Sequence, residues 1–243
     1  MVRVERPHGE ILLLTIDRPE RRNAVDTETL QQLAAALGDV SLPETRVVVL
    51  TGAPPAFCAG ADLAGAESEV FHAALGTALQ ALASCEVPVI AAIDGPALGA
   101  GTQLVMCCDL RIATERSIFG IPAAKLGLAV DQWTIDRMTR EFGWGIARAM
   151  LVGAEVFTAE RLLNAGSIHR FGGLDDAIDW ATVLAGQAPL TVVAHKAALD
   201  ESARLPNASQ HSEELRRQAW ASHDAEEGRI AFLEKRPPKF EAR

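Results

Sequence analysis

The chain has 243 residues, 49% of them hydrophobic and 23% charged, which suits a single α/β domain and excludes a disordered tail or a fibrous repeat. Its formal net charge of -9, from 32 acidic and 23 basic residues, excludes a broad nucleic-acid footprint, which needs Lys and Arg clustered on one face. The N-terminus MVRVERPHGE has no apolar signal core and no run approaches the roughly 18 apolar residues of a spanning helix, so a cytoplasmic protein with no membrane span is expected.

The first predicted element is a buried strand over Glu10–Asp17 (EILLLTID), a continuous apolar run stopped at Arg18-Pro19. A helix follows, with Asp26 as its cap, Glu28 against its N-terminal dipole, and Leu30, Leu33, Leu37 and Val40 at three- and four-residue spacing. Arg46–Thr51 (RVVVLT) is a second strand that runs into the turn residues Gly52-Ala53-Pro54-Pro55. After a helix from about Val70 to Ser84, Pro88–Asp94 (PVIAAID) is a third strand, then comes the glycine loop Gly95 to Gly101 and a new helix.

Asp109–Ala113 and Ser117–Phe119 read as further strands, and Asp131–Phe142 and Gly145–Val152 as helices joined at Gly143. Thr158 and Asp175 are the expected caps of two more helices, and Leu190–Ala203 and Gln210–Glu234 carry helical periodicity. Strands alternating with helices predict a largely parallel sheet with its sites at the strand-to-helix loops, and a helical layer in the last third of the chain. Cys58, Cys85, Cys107 and Cys108 match no zinc spacing and are expected as reduced core residues, with Cys58 the one that could also be a reactive thiol. No triad, phosphate-binding GxxxxGK or metal-ligand spacing occurs, so no metal is expected. His169, His195 and His211 have no nucleophile beside them and are assigned structural or surface roles.

Two loops carry the chemistry. Phe57-Cys58-Ala59-Gly60-Ala61-Asp62-Leu63 follows the second strand, and its small residues let a ligand approach backbone amides. Gly95 to Gly101 ends at a helix start, where unpaired N–H groups and the positive end of the dipole point outward. Singly, each loop is consistent with a tight turn or close helix–sheet packing.

Together, FCAGADL and DGPALGAG…CDLRIA resemble the two oxyanion-hole segments of the enoyl-CoA hydratase/isomerase (crotonase) family, in order and spacing. Arg18-Pro19…Asn23-Ala24, Phe119…Leu126-Gly127-Leu128, Thr158-Ala159-Glu160 and Phe232-Leu233-Glu234-Lys235-Arg236 extend the resemblance along most of the chain. It implies a crotonase-like (ClpP/crotonase) α/β fold: a repeated ββα spiral core over residues 1–185 and a C-terminal helical trimerisation region over 186–243. It also implies that the backbone N–H groups of Ala61 and Ala100 hold a thioester oxygen. Arg22 is then placed for CoA phosphate, Ala59, Asp62 and Leu63 for the adenine and pantetheine path, and Lys235, Lys239 and Phe240 for CoA bound to a neighbouring subunit. The ligand is an acyl-CoA, there is no separate cofactor, and a homotrimer or hexamer is expected.

The resemblance breaks where hydratases of this family carry two glutamates. Gln103 stands at the first position and Ala123, after Pro122, at the second. Neither is a usable acid or base. In this the chain is similar to actinobacterial members that also lack the glutamates and end in EKRPPKF. The leading expectation is an acyl-CoA (enoyl-CoA) binding protein of fatty-acid metabolism with hydration weak or absent. The rival is an enzyme using Asp131, at the place where dehalogenases of the family put a nucleophile, with Trp133 two residues on. The same Asp131 also reads as the N-cap of the helix that follows. A ligand-gated interaction protein is a third possibility.

Overall fold

Six successive residues with no exposed side chain make β2 (Ile11–Ile16) an interior strand. An element buried on both faces needs neighbours on both edges and layers above and below. The computed structural model, which describes residues 1–62, 68–202, 214, 217, 218 and 221–243, supplies them. β1 (Val2–Glu5) pairs antiparallel with β2, and β3 (Val47–Gly52), β4 (Val89–Ile93), β6 (Leu110–Ala113) and β9 (Arg170–Phe171) follow in parallel in the order β1-β2-β3-β4-β6-β9. The register Leu13↔Val49↔Ile90↔Leu110 runs straight across the parallel strands.

The period of two along each strand divides two cores. Leu12, Leu14 and Ile16 with Val48 and Leu50 face one cluster, whose other wall is α1 (Thr27–Gly38) and α2 (Glu69–Ala83). Ile11 and Leu13 with Val47 and Val49 face the other, closed by Ala177, Trp180 and Ala181 of α7 (Leu174–Ala185). In α1 the carboxylate of Asp26 accepts from the N–H and the hydroxyl of Thr29 at 2.9 and 2.7 Å, while Leu30, Leu33 and Leu37 are buried. The Asp26 carboxyl is held below its ordinary value: burial opposes the charge, and the Thr29 hydrogen bonds and the Arg18 charge outweigh it.

A second, three-stranded sheet makes the spiral. β5 (Pro96–Leu98) pairs parallel with β7 (Ile118–Gly120), and β8 (Phe157–Thr158) pairs antiparallel with β7. Each turn of the chain therefore gives one strand to the large sheet, one to the small sheet, and then a helix: β4, β5 and α3 (Ala100–Cys107), then β6, β7 and α4 (Gln132–Phe142). α5 (Trp144–Leu151) and α6 (Ala159–Asn164) lead into α7, α8 (Pro189–Ser202) and α9 (His223–Glu234).

Several expectations shift. β1 was unread because its alternation of Val with Arg and Glu suits only a half-exposed edge strand. Pro96–Leu98, taken as loop, pairs as β5. α7 is capped at Gly173, not Asp175: the helix starts two residues earlier, and Asp176 reaches back to accept the Gly173 N–H at 2.8 Å. Of the helix expected over Gln210–Glu234, residues 210–213 and several after them lie outside the described residues. Among the described residues no single helix is long and apolar enough to cross a membrane.

Candidate functional site: two strand-end loops and a helix start

The chain leaves the C-terminal ends of β3 and β4 in two loops that are pressed together. Asn23, fully buried at φ +58°, braces the first: its amide nitrogen donates to Ala53 O and Ala56 O, both at 2.6 Å, and its oxygen accepts the Arg18 N–H at 2.9 Å. Cys58 N–H donates to Pro96 O at 3.0 Å and Leu98 N–H to Cys58 O at 2.9 Å, stitching the first loop to β5. The contact tolerates no side chain at its centre. A Cβ on Gly101 would stand 2.2 Å from Cys58 O and one on Gly60 (φ +124°) 3.2 Å from Leu98 O, while Gly99, whose Cβ would reach Gly60 only at an ordinary 3.7 Å, needs glycine for its φ of +53°.

Ala61 and Ala100, the residues that follow Gly60 and Gly99, thereby come side by side. Val25 N–H donates to Gly60 O and Asp62 N–H to Val25 O, each at 2.8 Å, so in this parallel bridge Ala61's own N–H faces away from Val25. Ala100 opens α3, where an N–H has no intrahelical acceptor and the helix dipole is positive. Among the described residues neither N–H meets a protein acceptor. Two unpaired N–H donors on adjoining loops have the chemistry to accept a polarised carbonyl oxygen.

Gln103, one turn into α3, is 8% exposed. Its Nε2 donates to Thr134 Oγ1 at 2.9 Å, and the Thr134 N–H donates to Asp131 Oδ1, also at 2.9 Å. Asp131 is thus the N-cap of α4, with an exposed carboxylate, and its two readings remain compatible. Trp133 is half-buried and packs on the main core. Ala123 starts a 3-10 turn after Pro122 and presents only a methyl group. Of the two roles weighed for Cys58 the core role stands: it is fully buried, and burial pushes its thiol up to about 12. His169 accepts the Arg111 N–H at 3.0 Å, and burial followed by the Arg111 charge lowers its pKa, as suits a structural, neutral ring.

The residues expected to meet CoA are less uniform. Arg22 has an exposed side chain, and its carbonyl accepts the Ala59 N–H at 3.0 Å, so it borders the first loop. Ala59 is half-buried. The Asp62 carboxylate lies 3.1 Å from the Arg18 guanidinium, which also meets Asp26 at 2.9 Å and the Ala24 carbonyl, so Asp62 anchors the loop. Leu63 lies outside the described residues. Lys235 is exposed. Phe240 packs against Gly228, and its carbonyl accepts from Arg46 at 2.8 Å. Arg46 precedes β3 whereas the first loop follows it, so Phe240 sits at the opposite end of the sheet from Ala61 of the same chain. Thr134 and Arg18 were not assigned roles from sequence, because a helix residue 31 positions from Gln103 and a loop arginine carry no local signal of their partners.

A ββα spiral with touching loops at the C-terminal ends of adjacent strands is the architecture of the crotonase fold. This chain belongs to the enoyl-CoA hydratase/isomerase family, whose sequence pattern matches residues 6–243. It is 42% identical over 235 residues to a probable enoyl-CoA hydratase echA6 of Mycobacterium tuberculosis (strain CDC 1551 / Oshkosh), covering 95% of this chain and 96% of that one. It is 35% identical over 249 residues to the 2,3-dehydroadipyl-CoA hydratase of Escherichia coli (strain K12), covering 96% of each. The crystal structure of an enoyl-CoA hydratase/carnithine racemase from Magnetospirillum magneticum superposes with a TM-score of 0.92 at 28% identity, covering 100% of this chain and 96% of that one.

Proposed function

We propose that the protein binds acyl-CoA or enoyl-CoA thioesters, gripping the thioester oxygen with the N–H groups of Ala61 and Ala100, and hydrates them weakly or not at all. The observation that carries the reading is the combination of two unpaired amides on touching loops with a glutamine and an alanine where hydration needs carboxylates. The hydratase names of the relatives support the ligand class. Arg22 meets CoA phosphate at the rim of the first loop. Because Phe240 lies at the far end of its own sheet, Lys235 and Phe240 reach CoA only from a neighbouring copy, which makes a trimer or a dimer of trimers the working form. Fatty-acid metabolism in the cytoplasm is the setting this ligand suits.

Titration calorimetry with crotonyl-CoA and hexadecanoyl-CoA, beside an assay for loss of the enoyl chromophore, tests both halves. Binding of at least one thioester is expected, with turnover far under the roughly 10 s⁻¹ of a median enzyme. Q103E combined with A123E should raise hydration by at least the roughly 100-fold that a positioned acid or base contributes. Absence of binding at both chain lengths sinks the receptor, and ordinary turnover in the unaltered protein sinks the impairment.

A further inference from the structure

Residues 60–62 are tethered on the side away from the Ala61 N–H. Val25 supplies both backbone tethers of this parallel bridge, donating to Gly60 O and accepting the Asp62 N–H, each at 2.8 Å. Two hydrogen bonds fix the spacing of the bridge but let it pivot, and a pivot swings the Ala61 N–H, which points the other way. An amide that must meet a carbonyl oxygen in line needs a further restraint.

Arg18 adds a side-chain layer to the bridge. Its Nη2 meets Asp62 Oδ2 at 3.1 Å on one side and Asp26 Oδ2 at 2.9 Å on the other, and its Nη1 donates to Ala24 O. The Arg18 and Asp62 side chains are each only 16% exposed, so water screens their pairing poorly. The anchor itself is rigid: the Arg18 N–H donates to Asn23 Oδ1 at 2.9 Å, and the other oxygen of Asp26 caps α1 through Thr29. One guanidinium therefore fastens Asp62, the residue after Ala61, to the start of α1. Without that charge the two carboxylates that share its nitrogen face each other directly across the bridge and repel.

We infer that Arg18 is a positioning residue for the thioester grip: its charge draws Asp62 and Asp26 together and so keeps the Ala61 N–H aimed at the ligand oxygen. The inference rests on the grip proposed for Ala61 and Ala100. Arg18 acts through Asp62 and not on the ligand, so its loss weakens the hold on the carbonyl and spares the hold on the rest of the CoA ester. Charge is the property that matters, because a neutral side chain at position 18 leaves the two carboxylates opposed.

Calorimetric titration with butyryl-CoA and with S-butyl-CoA, the thioether in which a methylene replaces the carbonyl, tests it. The unaltered protein should prefer the thioester roughly 30-fold, the net worth of two neutral hydrogen bonds. R18Q should lower that preference to roughly fivefold, the worth of the Ala100 amide alone, with thioether affinity within about twofold. R18K, which keeps the charge, should retain most of the preference. R18Q/D62N, which removes the opposed charges and lets two neutral amides pair, should recover part of it, a rescue that a merely structural role for Arg18 does not produce. If R18Q does not fold, D62A, which removes only the loop-side partner, should show the same selective loss. Unchanged preference in R18Q, or equal loss of both affinities, overturns the inference and leaves the thioester grip standing. Equal binding of thioester and thioether by the unaltered protein overturns the grip and the inference with it.

Discussion

The two ends of the parallel sheet are held by different chemistry. At the C-terminal ends of β3 and β4 the two loops touch backbone against backbone, with Gly101 under Cys58 O, Gly60 against Gly99 and Asn23 bonding three main-chain groups, and ion pairs (Arg18 with Asp62 and Asp26, Arg116 with Asp94) lie only at the margin of that contact. At the N-terminal ends it is charge against charge. Lys196 of α8 meets Asp109 at 2.6 Å, Arg46 donates to the carbonyls of Ala185 and Phe240, and Arg137 and Arg140 both reach Asp200 at 3.3 Å. The last nine residues fold back in the same manner, Arg236 on Glu227 at 2.6 Å and the Glu241 and Ala242 N–H groups on Asp224 at 2.6 and 2.7 Å. Backbone packing is indifferent to salt and pH, whereas ion pairs are not. The backbone contact between the two loops should therefore keep its shape under conditions that loosen the helical layer.

The largest effect that tests this contrast is expected at the loops. Gly101→Val forces a side chain into Cys58 O, and overpacking of this kind costs about 1–3 kcal/mol or more; denaturant unfolding should show that loss, with thioester binding abolished. Retained binding in Gly101→Val breaks the claim that the two loops must touch. Asn23→Ala comes next. It strips partners from two buried carbonyls and the Arg18 N–H, at about 1–3 kcal/mol, and that cost should be the same in 0.05 M and 1 M salt.

Lys196→Met leaves the Asp109 carboxylate with its Val89 N–H partner at 2.7 Å and no cation. It should lower stability by about 1 kcal/mol, near the upper range for pairs that water still reaches, and the difference from the unaltered protein should shrink at high salt. Equal salt dependence for Asn23→Ala and Lys196→Met would erase the distinction between the two ends.

The smallest and most local effect is a pH response of the tail. The Arg236 guanidinium holds the Glu227 carboxyl down to about 2 from its ordinary 4.5. A carboxyl depressed in the folded state stabilises it above its unfolded value, and that contribution is lost as pH falls through the folded value. Docking of residues 235–243 should therefore weaken from about pH 4.5 toward 2, read as faster hydrogen exchange at the Lys239 N–H, which Glu227 accepts at 2.8 Å. Unchanged exchange across that window would mean that Phe240 and its neighbours, not the ion pair, hold the tail.

Much of this was legible in the linear chain, for identifiable reasons. The apolar runs at Ile11–Ile16, Val47–Gly52 and Val89–Ile93 had to be interior strands because no half-exposed element tolerates them. Asp26, Asp131 and Thr158 were read as caps and act as caps, because capping is local to three residues. The pairing of FCAGADL with DGPALGAG was visible because each loop carries its own small residues. The edge strand β1 was hidden by its weak alternation, and the cap of α7 by two adjacent aspartates that compete for one helix start.

What the sequence determined by itself is the set of local rules: strand or helix by period, caps by residue type, and glycine where two backbones meet. Only the tertiary structure decided which distant groups share a hydrogen bond. Thr134 lies 31 residues from Gln103, and Phe240 lies 194 from Arg46. Neither pairing has a spacing or composition that marks it, because a single hydrogen bond places no constraint on the residues between its partners until the sheet and its helices bring them together.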